Sequence, residues 1–231
     1  MKLTRLCFFF CAAVVANAAC QPQHRPQGID PLASDLPQAI NSQTRTGFMA
    51  EEDGETVNTL FEVSNIGRRG KNRVEVKCSR ALDEEIVKID FYSKRPDESW
   101  RVRQSLNFKK DGGPPCDPKV EDFNNDGSND LTFISGQAAR GANEIRTLLI
   151  YDKKRDELVH IRNSAEYPNL AYNSALDCID AWSFYGGTAT IFLRLKGDML
   201  EEFASVEDFP PTRTVTVRDR EGRSLRFVVA H

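Results

Sequence analysis

The chain is poor in histidine, with three in 231 residues, and it has two tryptophans and three methionines. His24, His160 and His231 are too scattered to give the ligand spacing of a zinc site. No G-x-S-x-G elbow occurs, so a hydrolase of that type has no nucleophile to use. No run of about 20 apolar residues is present, the length a membrane-spanning helix requires. Basic residues are in no excess: the formal net charge is −3, which argues against nucleic acid as a partner.

What is present begins with a targeting signal. Lys2 and Arg5 precede the apolar run Leu6 to Val15, which ends in the small residues of ANAAC, so residues 1–19 read as a secretory signal peptide. Removing Lys2 and Arg5 leaves 29 basic against 34 acidic residues, a balance of −5. Cleavage before Ala19 fits a small-x-small site. Ala18-Ala19-Cys20 instead resembles the end of a lipobox, with Asn17 where a large aliphatic residue is usual. The Pro- and Gln-rich stretch after Cys20 suits a flexible tether over 20–47, whether or not Cys20 carries lipid. The folded domain is expected over 48–231, localised to the periplasm or held at a membrane surface through Cys20.

Cys7 and Cys11 leave with the signal, and Cys20, Cys78, Cys116 and Cys178 remain. Export favours at least one disulfide. Four cysteines allow three pairings, and a lipidated Cys20 would leave one pair and a free thiol.

From about Thr56 the dominant period is two. EIVKIDFYSK and SWRVRQSLNF alternate apolar with polar positions, and strand-like runs follow at 131–135, 145–151, 157–162, 182–185, 189–195, 199–206, 212–217 and 224–230. Turn signals such as RRGKN, DGGPP, DKKRDE and DREG separate them, and the basic clusters 68–73 and 153–155 read as hairpin tips. Residues 32–41 and 79–85 are the two places where a short helical turn is expected. The fold class is therefore mainly β: antiparallel hairpins in a propeller-like, barrel or sandwich arrangement. The alternation places Trp100, Trp182, Phe184 and Tyr185 mostly in the core, and GQAARGAN (136–143) reads as a pliable loop with Arg140 at its tip.

The stretch VEDFNNDGSNDLTFIS carries the chemistry. Counting from Asp122, oxygen-bearing side chains fall at positions one (Asp122), three (Asn124), five (Asp126) and nine (Asp130). Gly127 stands at six, and Ser128 at seven offers its backbone carbonyl. Calcium takes six to eight oxygen ligands, and a tight loop whose alternate residues face inward supplies them. Three carboxylates in nine residues would repel one another in an empty loop; the alternative is an Asx-rich turn without an ion. An EF-hand would place a glutamate at position twelve, where Phe133 stands in a strand-like run.

This D-x-N-x-D-G-x-x-D-L loop, with the strand runs after it, resembles the FG-GAP or VCBS-like calcium loops of β-propeller proteins. The order of loop, IRTLLIYDKKRDELVHI and KGDMLEEFASV is similar, over residues 98–206, to a group of exported bacterial proteins. That group includes periplasmic lipoproteins that act as immunity proteins against peptidoglycan-cleaving toxins, in the manner of lysozyme inhibitors. The resemblance implies Ca²⁺ as the cofactor and a metal role for Asp122, Asn124, Asp126, Ser128 and Asp130. It implies a cell-wall hydrolase or toxin as the protein partner and marks no contact residue. Adjacent carboxylates, Glu84 with Glu85 and Glu201 with Glu202, point to opposite faces of a strand and make no acid/base dyad, so no enzyme activity is expected. The competing functional readings are a glycan-binding or adhesive module and a calcium-dependent hydrolase.

Overall fold

The computed structural model describes residues 44–50, 57–80, 84–219 and 221–230. The expected signal peptide and most of the tether lie outside them, as do His24, His231 and the possible helical turn at 32–41. Strand pairing starts at Thr44, four residues before the expected domain boundary.

Among the described residues fifteen strands, joined in chain order, form three antiparallel sheets, none of them closed into a barrel. The first holds β1 (Thr44–Ala50), β2 (Val57–Val63), β3 (Asn72–Arg80), β4 (Glu85–Lys94) and β5 (Trp100–Lys110). The second holds β6 (Lys119–Glu121), β7 (Asp130–Ala138), β8 (Asn143–Asp152) and β9 (Glu157–His160). The third holds β10 (Ala171–Asn173), β11 (Cys178–Phe184), β12 (Thr188–Lys196), β13 (Met199–Phe209), β14 (Thr212–Arg218) and β15 (Ser224–Ala230).

The four-stranded sheet is the middle layer. Side chains alternate across a strand, and on β8 Leu149 and Tyr151 join Val74, Val76, Val87, Ile89 and Phe91 of the first sheet in one core. Leu148 and Ile150 turn the other way and join Ile179, Ala181, Leu193 and Leu200 of the third sheet in a second core. Burial on both faces is why LTFIS and TLLIY read as continuous apolar runs, whereas β4 alternates.

Several expectations are corrected. Of the expected helical turn at 79–85, residues 79 and 80 close β3 and Glu85 opens β4, while 81–83 lie outside the described residues. Within 136–143, β7 runs to Ala138 and β8 starts at Asn143, with a single 3-10 turn at Ala139–Gly141. The protrusion is thus a paired hairpin. Trp100 is 39% exposed and Val102 47%, because a bulge opposite Phe91/Tyr92 interrupts the register of β5 and its first half lies beyond the core. Trp182 and Phe184 are 41 and 44% exposed, on the side of β11 turned away from the middle sheet, and Tyr185, just past the strand's end, is 62% exposed.

A disulfide joins Cys78 on β3 to Cys116 in the segment before β6, and Cys178 is a buried free thiol. Burial pushes the Cys178 thiol up to about 11, which leaves it a poor nucleophile. The disulfide closes 38 residues. Replacing both Cys78 and Cys116 by Ser is expected to lower stability by about 4 kcal/mol on the chain-entropy account, read as the change in unfolding free energy by urea titration.

Candidate metal loop

The loop of interest joins β6 to β7. Asn125 (φ 54°) and Gly127 (φ 80°) adopt left-handed backbone conformations, the second being one that glycine reaches without penalty. These two residues curl the chain so that side-chain oxygens meet backbone N–H groups. Asp126 N–H donates to Asp122 Oδ1 at 3.0 Å and to Asn124 Oδ1 at 3.2 Å. Gly127 N–H donates to Asp122 Oδ2 at 2.7 Å, and Ser128 N–H to Asp126 Oδ1 at 2.8 Å.

Asp130 closes the loop from below. It has no exposed surface, and its two oxygens accept from Phe123 N–H at 2.9 Å and Tyr151 N–H at 2.8 Å. Each oxygen keeps a second lone pair. Burial raises its pKa to about 7 against an ordinary 3.8; the two N–H groups oppose this, and the charges of Asp122 and Asp126 push it further up.

The structure therefore brings Asp122, Asn124 and Asp126 together at the exposed rim, with Ser128 buried beneath and Asp130 at the base. Among the described residues, no group of three or more His, Cys, Asp or Glu is arranged to hold a metal ion. The donors nonetheless suit calcium in kind: all are oxygen, and the mutual repulsion recorded at Asp130 is of the sign that a divalent cation relieves. Lys153 supplies the local positive charge, with Nζ 3.2 Å from Asp126 Oδ1 and bonded to the Asp126 carbonyl. Asn124 and Asp126 open onto a cleft of about 400 Å³, lined also by Asp152, Lys153 and Gly197.

Two polar clusters that no sequence motif marks fix the loop's surroundings. Asp156 accepts from Asn72 at 2.9 Å, Ser93 at 2.5 Å and Tyr151 Oη at 2.8 Å, joining the first sheet to the middle one. Burial pushes the Asp156 carboxyl up, but those hydrogen bonds win and hold it below the ordinary value. Asn72 also accepts from Arg68 N–H, and Arg68 reaches the Lys153 carbonyl, so the two basic turns meet at the loop's flank. Gly67 N–H then donates to the Asn129 carbonyl at 2.8 Å.

The second cluster surrounds Arg146, which is 4% exposed. It donates to Glu144, Thr132 and both the side chain and carbonyl of Asp117 at the edge of a cleft of about 620 Å³. With its donors so engaged, Arg146 acts as a clamp on β7 and the segment before β6.

The acid pairs noted above are also accounted for by cations: Glu84 with Lys109, Glu85 with Lys110 and Arg80, Glu201 with Lys196 and Glu202 with Arg218. His160 is half-buried edge-on to Phe108, and burial lowers its pKa.

No family model matches the chain, and no curated protein matches it. Among solved structures, the protein described as a Xanthomonas type IV secretion system related protein is similar at 13% identity and a TM-score of 0.47, covering 80% of this chain and 99% of that one.

Asp130→Asn keeps the shape but turns an amide NH₂ toward one of two buried N–H donors, at an expected cost of about 2–3 kcal/mol. The pH dependence has a definite sign. A carboxyl whose folded pKa lies above its unfolded value binds the proton more tightly in the folded state. Its contribution is full below 3.8 and is lost as pH rises through about 7. Measured by urea unfolding in chelator, the cost of Asp130→Asn should therefore be largest near the acid end and shrink above neutral pH.

Proposed function

We propose that this chain is an exported, calcium-stabilised binding protein that inhibits a peptidoglycan hydrolase. The observation that carries the calcium half is the set of side-chain oxygens from Asp122, Asn124 and Asp126 drawn to one rim above a buried Asp130. Those three residues would hold the ion, with the Ser128 carbonyl and Asp130 completing the set. Bound calcium supplies charge neutralisation and a rigid link between β6 and β7. The residues themselves position the loop: Asp130 pins it to Tyr151 of β8, and Gly67 ties it to the first sheet.

The inhibitory half rests on the resemblance of the loop and the hairpins after it to immunity lipoproteins. In this reading the three meander sheets are arranged like propeller blades, residues 1–19 direct export and Cys20 is available as a lipid anchor. A rigid surface suits the role because ordering in advance lowers the cost of binding.

Calcium at about one hundred times its dissociation constant should raise unfolding stability by about 2.7 kcal/mol. Asp126→Ala should abolish that increase, as read by calorimetry and thermal unfolding with calcium or chelator. For the partner, mature chain at stoichiometric excess should slow lysis of purified peptidoglycan by a muramidase-type hydrolase. Failure to slow any such enzyme removes the inhibitory half and leaves the calcium half standing.

One observation favours the second reading, glycan binding without inhibition. Trp182, Phe184, Tyr185 and Phe209 are all exposed at one end of the third sheet, and Phe209 lies against Gly187. Their backbone is held from behind: Asn143 bonds both polar groups of Phe184, and Asn169 donates to the Trp182 carbonyl. Rigid, exposed aromatic faces suit the C–H faces of sugar rings. Under this reading Trp182→Ala should weaken retention on insoluble peptidoglycan about tenfold in a pelleting assay, a loss of about 1.4 kcal/mol.

A further inference from the structure

The third sheet ends without a finish. Among the described residues its last strand, β15, pairs only with β14, and all seven of its residues are exposed, with Leu225, Phe227, Val228 and Val229 between 50 and 60%. An edge strand presents a row of unpaired N–H and C=O groups, and proteins normally blunt such edges by shortness, charge, proline or a bulge.

The other edges follow that rule where their side chains are described. β6 and β10 have three residues each and β9 has four. β5 is long, but it is bulged, carries Arg101, Arg103 and Lys109, and sends Gln104 to both backbone groups of Leu158. β15, SLRFVVA, has no proline, no acid and no lysine, its ladder with β14 runs straight over seven rungs, and Arg226 is its one charge.

The core also runs out at this edge. Across the sheet, Val206 stands beside Val215 and Val215 beside Phe227, with exposure rising from 8% and 5% to 50%. In the next row Ala204 stands beside Val217 and Val217 beside Leu225, from 2% to 53%. Both rows extend the buried cluster of Phe192, Ala204, Val206 and Val215 and stop at β15.

We propose that β15 pairs with β15 of a second copy of this chain, antiparallel about a two-fold axis through Phe227, to form one continuous sheet. The strand's own sequence selects that partner and register. A two-fold axis normal to the sheet keeps each face on its own side and sets Leu225 opposite Val229 of the second copy and Phe227 opposite its own equivalent. The apolar rows are then continued across the junction by side chains of the same character. All seven residues pair, and Arg226 faces Val228. Centring on Arg226 would set two like charges directly opposite each other, and centring on Val228 would pair five of the seven residues of β15 with one another. A seven-residue edge buries less than the roughly 1,600 Å² of a standard interface, so the dimer dissociates on dilution. The inference does not depend on calcium or on the hydrolase reading.

Sedimentation equilibrium of the mature chain between about 1 and 200 µM should show the mass moving toward twice that of a single chain. Phe227→Lys, which puts two ammonium groups opposite each other at a position half exposed in the single chain, should give monomer throughout with an unchanged circular dichroism spectrum. Should that variant fail to fold, Phe227→Cys answers the same question. Mild oxidation should link two chains through position 227, while Arg226→Cys, offset from its own equivalent, should crosslink several-fold less. A monomeric mass at every concentration overturns the proposal. So does a dimer that persists in folded Phe227→Lys, or equal crosslinking at 226 and 227.

Discussion

A carboxylate without solvent contact holds the loop region together. Asp130 is fully buried, and a charge in that position is tolerated only when hydrogen bonds replace the lost water. Its partners are backbone N–H groups of Phe123 at the start of the loop and Tyr151 on β8. The same side chain therefore sets the curvature of the loop and its distance from the middle sheet. Asp122 and Asp126 are held within the loop that Asp130 anchors, by backbone N–H groups, by the Asn124 amide and by Lys153.

Beyond the loop, the fold depends on a sheet buried on both faces. Apolar alternation alone would let three layers slide over one another, since the hydrophobic effect has no direction. Directional contacts remove that freedom. Asp156 collects hydrogen bonds from β3, the end of β4 and β8. Gln104 of β5 bonds both backbone groups of Leu158, and Asn163 bonds both backbone groups of Leu200. The Cys78–Cys116 disulfide adds a covalent tie from β3 to the segment entering the middle sheet.

The strands from β4 onward were legible in the sequence because their pattern is local: alternation in EIVKIDFYSK and continuous apolar character in LTFIS need no knowledge of neighbours. The three-residue strands β6 and β10 were not, being defined by who pairs with them. The aromatic residues show the limit of alternation most clearly. A period of two says that Trp182 and Phe184 share a face, but which face is covered is decided by the sheet stacked against it, and the middle sheet covers Ile179 and Ala181 instead. Trp100 and Val102 were misplaced for another reason, a bulge, which shifts every side chain before it. In the loop, the spacing of oxygens was visible, and the division of labour between rim and base was not. Nothing in D-x-N-x-D-G-x-x-D marks its last aspartate as the buried one, because that follows from β8 lying behind it.

Lys153 bears on how such a loop can fold at all. It comes from the turn between β8 and β9, distant in sequence from Asp126, and bonds both the carbonyl and the carboxylate of that residue. Its own carbonyl accepts from Arg68, so two basic turns stand against an acidic loop. Each pair is exposed and worth little alone. Together they offset part of the repulsion among Asp122, Asp126 and Asp130 from within the chain, while Asp130 remains raised and the loop remains short of positive charge. Calcium, if it binds as proposed, would compete there with the Lys153 ammonium, which already contacts the carboxylate and the carbonyl of Asp126.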